Sequence, residues 1–238
     1  MKTGFLKKYT FPDCDPDTQL IAISTIITSL TKTLEEKEKS FDKTDYSKLN
    51  PAYSGDLYAD DLCNLGFLDV AVSHSIIAVI APFLEGLFRH EIAALHDNGF
   101  KGKPGHPRTK EKEQLFWQIK FMPDGDGIKK DSKTARGIYQ ILEALDLLKF
   151  FPNDTKEMLE IIFSYRNYTL HNGFEAKIKE RNEFKRKIEE KGWGKYFSWT
   201  TSDSKPWIVS MKKDFMLKCF DFCIEVSKGF DRQKGIDA

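Results

Sequence analysis

The chain has 238 residues, 40% of them hydrophobic and 31% charged, which is enough apolar material for one large core or two small ones. Thirty-seven Lys and Arg against 36 Asp and Glu leave a formal net charge of +1, so global charge argues neither for nor against nucleic acid and any basic surface has to be local. The four cysteines, Cys14, Cys63, Cys219 and Cys223, contain no zinc-knuckle pair and read as reduced thiols of a cytoplasmic protein, with no metal and no cofactor expected.

In chain order, Met1 to Thr10 is basic but lacks the apolar core of a secretion signal. A first helix is expected from Asp17 or Thr18 to about Lys39, because Leu20, Ile23, Ile27, Leu30 and Leu34 recur at helical spacing. A polar loop with Pro51 and Gly55 should follow. The second helix, about Leu68 to Leu95, is apolar on nearly every side in its first half and belongs at the centre of a bundle. Within it, Val70 to Phe88 contains His74, Pro82 and Glu85, which argues for a buried helix and against a membrane span. Pro82 should kink this helix, and Asn98-Gly99 should stop it.

Lys101 to Lys110 is a basic loop with no regular structure expected, followed by a short helix from Glu111 to Phe121. The next loop contains Asp124-Gly125-Asp126-Gly127. It reads as a turn and not as a calcium loop, since Ile128 and Lys129 stand where an oxygen ligand and a glycine are needed. A third helix is expected over Thr134 to Lys149 and a fourth over Thr155 to His171. The short gap between them predicts an antiparallel hairpin, and Asn172-Gly173 supplies the stop. A charged helix from Glu175 to Lys191, a small β-hairpin near 196–211 around Ser202-Asp203-Ser204, and a last helix from Lys212 to Lys228 complete the reading. The fold class is all-α, a helical bundle in a single domain over 1–238. Its core helices lie at about 17–173, and a C-terminal part covers about 174–230.

The segment Ser164 to Gly173 carries the most chemistry. It places Arg166, Asn167 and His171 in the last turns of an otherwise apolar helix. Arginine grips phosphate with a planar fork of donors, and histidine titrates near neutrality. Asn167 and His171 are four residues apart and share a face, whereas Arg166 stands about 140° round from His171 and has to reach across. Two blander uses are open: His171 could cap free carbonyls, and Arg166 could bridge a carboxylate such as Glu85 or Glu91. Arg89 and His96 repeat a similar spacing on the second helix, where His96 stands at a helix end and Arg89 is suited to pairing with a carboxylate.

Arg166-Asn167-Tyr168-Thr169-Leu170-His171 resembles the signature of the HEPN superfamily: Arg, a polar residue, then His at the end of a helix in a bundle. The resemblance extends to Phe83–Arg89 and to the helical hairpin before the motif. It implies a HEPN-like bundle and, for many members, a metal-independent endoribonuclease of toxin–antitoxin, phage-defence or RNA-processing type. It further implies a homodimer whose two motifs face one another, with His171 as acid or base, Arg166 stabilising the charged phosphorane and Asn167 orienting either. RNA or a nucleotide, and a protein partner such as an antitoxin, are the implied partners, with no membrane. The alternative the family allows is a non-catalytic nucleotide- or protein-binding or dimerisation module. Gly173 stands where members paired with nucleotidyltransferases carry tyrosine, which argues against that subset. RNA contact is assigned to Lys101, Lys103, Arg108, Lys110 and Lys177, with plain solvation as the other use of these charges. Tyr196, Phe197, Trp199 and Trp207 could stack on bases or fill a core or a dimer contact.

Overall fold

The computed structural model describes residues 15–48, 53–123, 132–202 and 205–235, and among these the chain forms seven α-helices and one two-stranded antiparallel sheet. Met1–Thr10, Cys14, Pro51, Asp124–Gly127, where a turn was expected, and Asp203-Ser204 lie outside them.

Asp15 opens α1 (Pro16–Lys43): its carboxylate accepts the Thr18 N–H at 2.7 Å, satisfying one of the donors that a helix start leaves over. Leu20, Ile23, Ile27 and Leu34 of the expected stripe are buried. The second helix, α2 (Ser54–Asp97), begins well before the expected Leu68, and Gly55 lies in its first turn instead of a loop. Residues 55–64 are exposed, so no apolar stripe marked them as helical. The helix runs on through Pro82. Its end is a left-handed Gly99 (φ 72°), with the Phe100 N–H reaching back to the Leu95 carbonyl at 3.1 Å. By length and composition α2 could cross a bilayer, and half of its most apolar stretch is buried inside the protein.

Helix α3 (Glu113–Phe116) is a single turn, where Glu111 to Phe121 was expected. The reason lies in Arg108, whose guanidinium donates to the carbonyls of Phe116, Gln118 and Phe121. Those carbonyls point at one buried cation instead of continuing a helical ladder. Ser132 caps α4 (Lys133–Ala144) by accepting the Ala135 N–H, and the helix closes five residues before Lys149 because Asp146 takes the left-handed conformation (φ 59°). Helix α5 (Thr155–Asn172) ends at Gly173 (φ 64°) as expected. Ser132 meets Glu160, and Tyr139 further along α4 meets Lys156 further back on α5, so the pair runs antiparallel. Then come α6 (Ile178–Glu190), β1 (Phe197–Ser202), β2 (Lys205–Met211) and α7 (Lys213–Gln233). The hairpin register pairs Phe197 with Met211 and Ser202 with Lys205, with an irregularity between Trp199 and Thr201.

By contacts the chain divides into two compact units, and α1, α2, α5 and α7 each run from one into the other. The first comprises the described residues within Met1–Ile23, Val79–Arg166 and Cys219–Ala238. Its core includes a ring cluster of Phe88, Phe151 and Phe230, and Gly229 lets Phe151 approach so closely that a Cβ there would stand 2.8 Å from its ring. The second comprises Ser24–Ala78 and Asn167–Lys218. There the hairpin is tied to α2 by the Met211 N–H donating to Ser73 Oγ at 2.9 Å and by the Ser210 hydroxyl donating to Asp69. Tyr168 stacks on Phe184, and Phe197 and Tyr196 pack on Phe215.

Candidate functional site

Arg166, Asn167 and His171 all lie on α5, and the division between units passes between Arg166 and Asn167. In the first unit, Arg166 is half-buried and its Nη2 stands 3.2 Å from Glu85 Oε2 on α2. Glu85 is a hub. Its other oxygen receives Arg89 Nη2 at 2.8 Å and Lys120 Nζ at 3.4 Å, so three cations surround one carboxylate. Burial by itself would raise the Glu85 pKa, but the Arg89 hydrogen bond and the Lys120 charge outweigh it and hold the group below its usual value. Of the two carboxylates that could bridge to Arg166, Glu85 is therefore the one engaged. Glu91 pairs instead with Lys234 at 2.9 Å, and burial raises its pKa. Arg89 pairs with a carboxylate as its position on α2 suggested.

In the second unit, Asn167 is half-buried and His171 is exposed in the final turn of α5. The Tyr168 carbonyl in the last turn of that helix accepts from the Asn172 side chain at 2.9 Å. Leu170, Phe174 and Ile178, close to His171 in sequence, are exposed at 66, 45 and 57%. Tyr168, inside the motif, is buried against Phe184, and burial pushes its phenol up to about 12.

The basic residues assigned to RNA divide. Lys101, Lys103, Lys110 and Lys177 are exposed. Arg108 is not: it has no exposed surface, donates through Nε to Gln140 Oε1 at 3.2 Å, and spends its remaining donors on backbone carbonyls. A guanidinium so enclosed organises the loop and cannot meet a surface phosphate. The loop has a second anchor in His106. Its Nδ1 accepts the Arg108 N–H at 3.2 Å, which leaves the proton on Nε2 to donate to Glu143, also at 3.2 Å. Base stacking by Tyr196 and Phe197 is likewise overturned, since both are buried as core. On α6, Lys185 and Arg186 face Glu189 and Glu190 one turn on, as a solvated helix arranges them.

Lys120 was missed as part of the Glu85 cluster. It lay in a stretch expected to be an ordinary short helix, and only the turn imposed by Arg108 carries it to α2. Among the described residues no group of three His, Cys, Asp or Glu is placed to hold a metal. Comparison with protein-family models, with curated proteins and with solved structures found no match in any of the three.

Proposed function

We propose that the chain is a HEPN-like endoribonuclease that needs no metal and works as a homodimer. The observation that carries this reading is the placement of the Arg166–His171 motif in the closing turns of one unbroken helix, with the imidazole of His171 exposed. Three exposed apolar side chains in the same stretch of chain, Leu170, Phe174 and Ile178, suit cover by a second copy.

In the proposed reaction a neutral His171 removes the proton from a ribose 2′-hydroxyl. The 2′-oxygen bonds to the adjacent phosphorus, and the bond from phosphorus to the 5′-oxygen breaks. His171 of the partner subunit delivers a proton to that leaving oxygen, and the products are a 2′,3′-cyclic phosphate and a 5′-hydroxyl. Each positioned proton transfer is worth about 10²–10⁴-fold. Arg166 stabilises the extra charge on the phosphorane.

The test is cleavage of a labelled RNA in the presence of chelator. Turnover should persist and should fall at least a hundredfold in His171→Ala and Arg166→Ala, with unchanged circular dichroism. Cleavage that chelator abolishes, or that both variants retain, overturns the reading. One observation favours a second reading, a non-catalytic binding module: Glu85 already neutralises part of the Arg166 charge. That module would show no turnover, and binding of a nucleotide or protein partner that weakens in Arg166→Ala.

A further inference from the structure

A cleft of about 460 Å³ lies in the first unit between the C-terminal turns of α2 and the segment after α3. Arg89 and Lys120 stand in its wall, Trp117 and His96 beside them, and Ile92 and Ile119 supply apolar surface. Its size is that of a small-molecule site, which typically spans about 300–1,000 Å³.

The charge in this wall is unbalanced. Arg89 and Lys120 converge on a single oxygen, Glu85 Oε1, so one carboxylate serves both cations of the wall. On α6, by contrast, Lys185 and Arg186 each face a carboxylate of their own. The side chains of Arg89 and Lys120 are 50 and 57% exposed, so both heads reach solvent as well as Glu85. Two cations converging on a shared point with donors to spare are what a phosphate requires. The nearby acids, Glu113 and Asp97, each stand 3.5 Å from the His96 ring and are themselves exposed, so they act on His96 and are weakened by solvent.

The aromatic element is Trp117. It meets Phe116 and His96 edge-on, with ring centroids 4.8 and 5.0 Å away. Indole is a good platform for a planar ring, and base stacking on an aromatic is sequence-tolerant.

We propose that this cleft binds a mononucleotide, the phosphate held by Arg89 and Lys120 and the base against Trp117. The site uses neither His171 nor Asn167, but its two cations share Glu85 with Arg166 of the proposed ribonuclease motif. Calorimetric titration of the full chain with adenosine 5′-monophosphate, adenosine and inorganic phosphate tests it. The monophosphate should bind at least tenfold more tightly than either fragment. The R89Q/K120Q variant should lower that affinity at least tenfold, Trp117→Ala should reduce the monophosphate to the level of inorganic phosphate, and His171→Ala should change nothing. Absence of binding by the monophosphate, or undiminished binding by R89Q/K120Q, overturns the proposal. Phosphate binding as tightly as the monophosphate overturns the base-stacking half. Should R89Q/K120Q not fold, failure of excess phosphate to displace the monophosphate from the unaltered chain overturns it equally.

Discussion

Replacing Arg108 by methionine keeps most of the side-chain volume and removes every donor. Two acceptors, the Phe116 carbonyl and Gln140 Oε1, are then left without this partner in buried surroundings, while the Gln118 and Phe121 carbonyls sit nearer water. A buried acceptor left unsatisfied costs about 1–3 kcal/mol. Against this, the variant no longer buries a guanidinium, whose removal from water is itself costly and already draws the Arg108 pKa below its ordinary value. The net loss should be about 3 kcal/mol, toward the lower end of what breaking a buried polar network costs. For a protein of this length that is a fall in Tm of about 6–12 °C. Scanning calorimetry of wild type, Arg108→Met and Arg108→Lys measures it, and lysine should fall between, because one ammonium cannot span four acceptors. A Tm within about 2 °C of wild type for Arg108→Met would refute the argument. So would weaker RNA binding at unchanged Tm, which is what a surface contact predicts.

Two glycines make an opposed pair. A Cβ on Gly137 would lie 1.7 Å from the Ile119 carbonyl, so Gly137→Ala should displace that loop and cost about 1–3 kcal/mol, whereas Gly86 in mid-α2 has nothing within 4 Å and Gly86→Ala should stabilise by about 0.5–1 kcal/mol. Urea midpoints check both, and equal signs for the two would contradict the packing. Acid should act through His74, whose pKa burial pulls from 6.5 down to about 4 beside Phe174. The unfolded chain accepts a proton in that window and the folded one resists it. His74 therefore contributes fully above about pH 6.5, and that contribution drains as pH falls toward 4, by about 3 kcal/mol for a fully buried ring and about 2 kcal/mol once its partial exposure is allowed for. His74→Gln should lose less stability than wild type between pH 7.5 and 4.5, and an identical acid slope in both would count against a buried neutral imidazole.

Where the sequence was legible, the reason was local. The α1 stripe of Leu20, Ile23, Ile27 and Leu34 declared its period because one face is buried along its length. The stops at Gly99 and Gly173 were readable because a left-handed residue closes a helix and glycine takes that conformation without strain. The start of α2 was not legible, since residues 55–64 are exposed and have no buried face to set a pattern. Nor was the end of α4, where Asp146, one of the few non-glycine residues that tolerate positive φ, does what glycine does elsewhere. For the candidate site, Arg166, Asn167 and His171 were found as a motif, and the pairing of Arg166 with Glu85 was one of two partners foreseen.

The order of the helices, the small hairpin and the polar turn at the end of α5 follow from periodicity, turn chemistry and helix-closing residues, which act over a few positions and are written in consecutive residues. Which charges meet was decided by the tertiary fold. Arg108 was expected in a basic loop and Lys120 in a short helix, yet one is enclosed by backbone carbonyls and the other joins Glu85 on a distant helix. The physical reason is that a cation's role depends on burial and on partners brought from far along the chain, and neither has any period in the sequence around it.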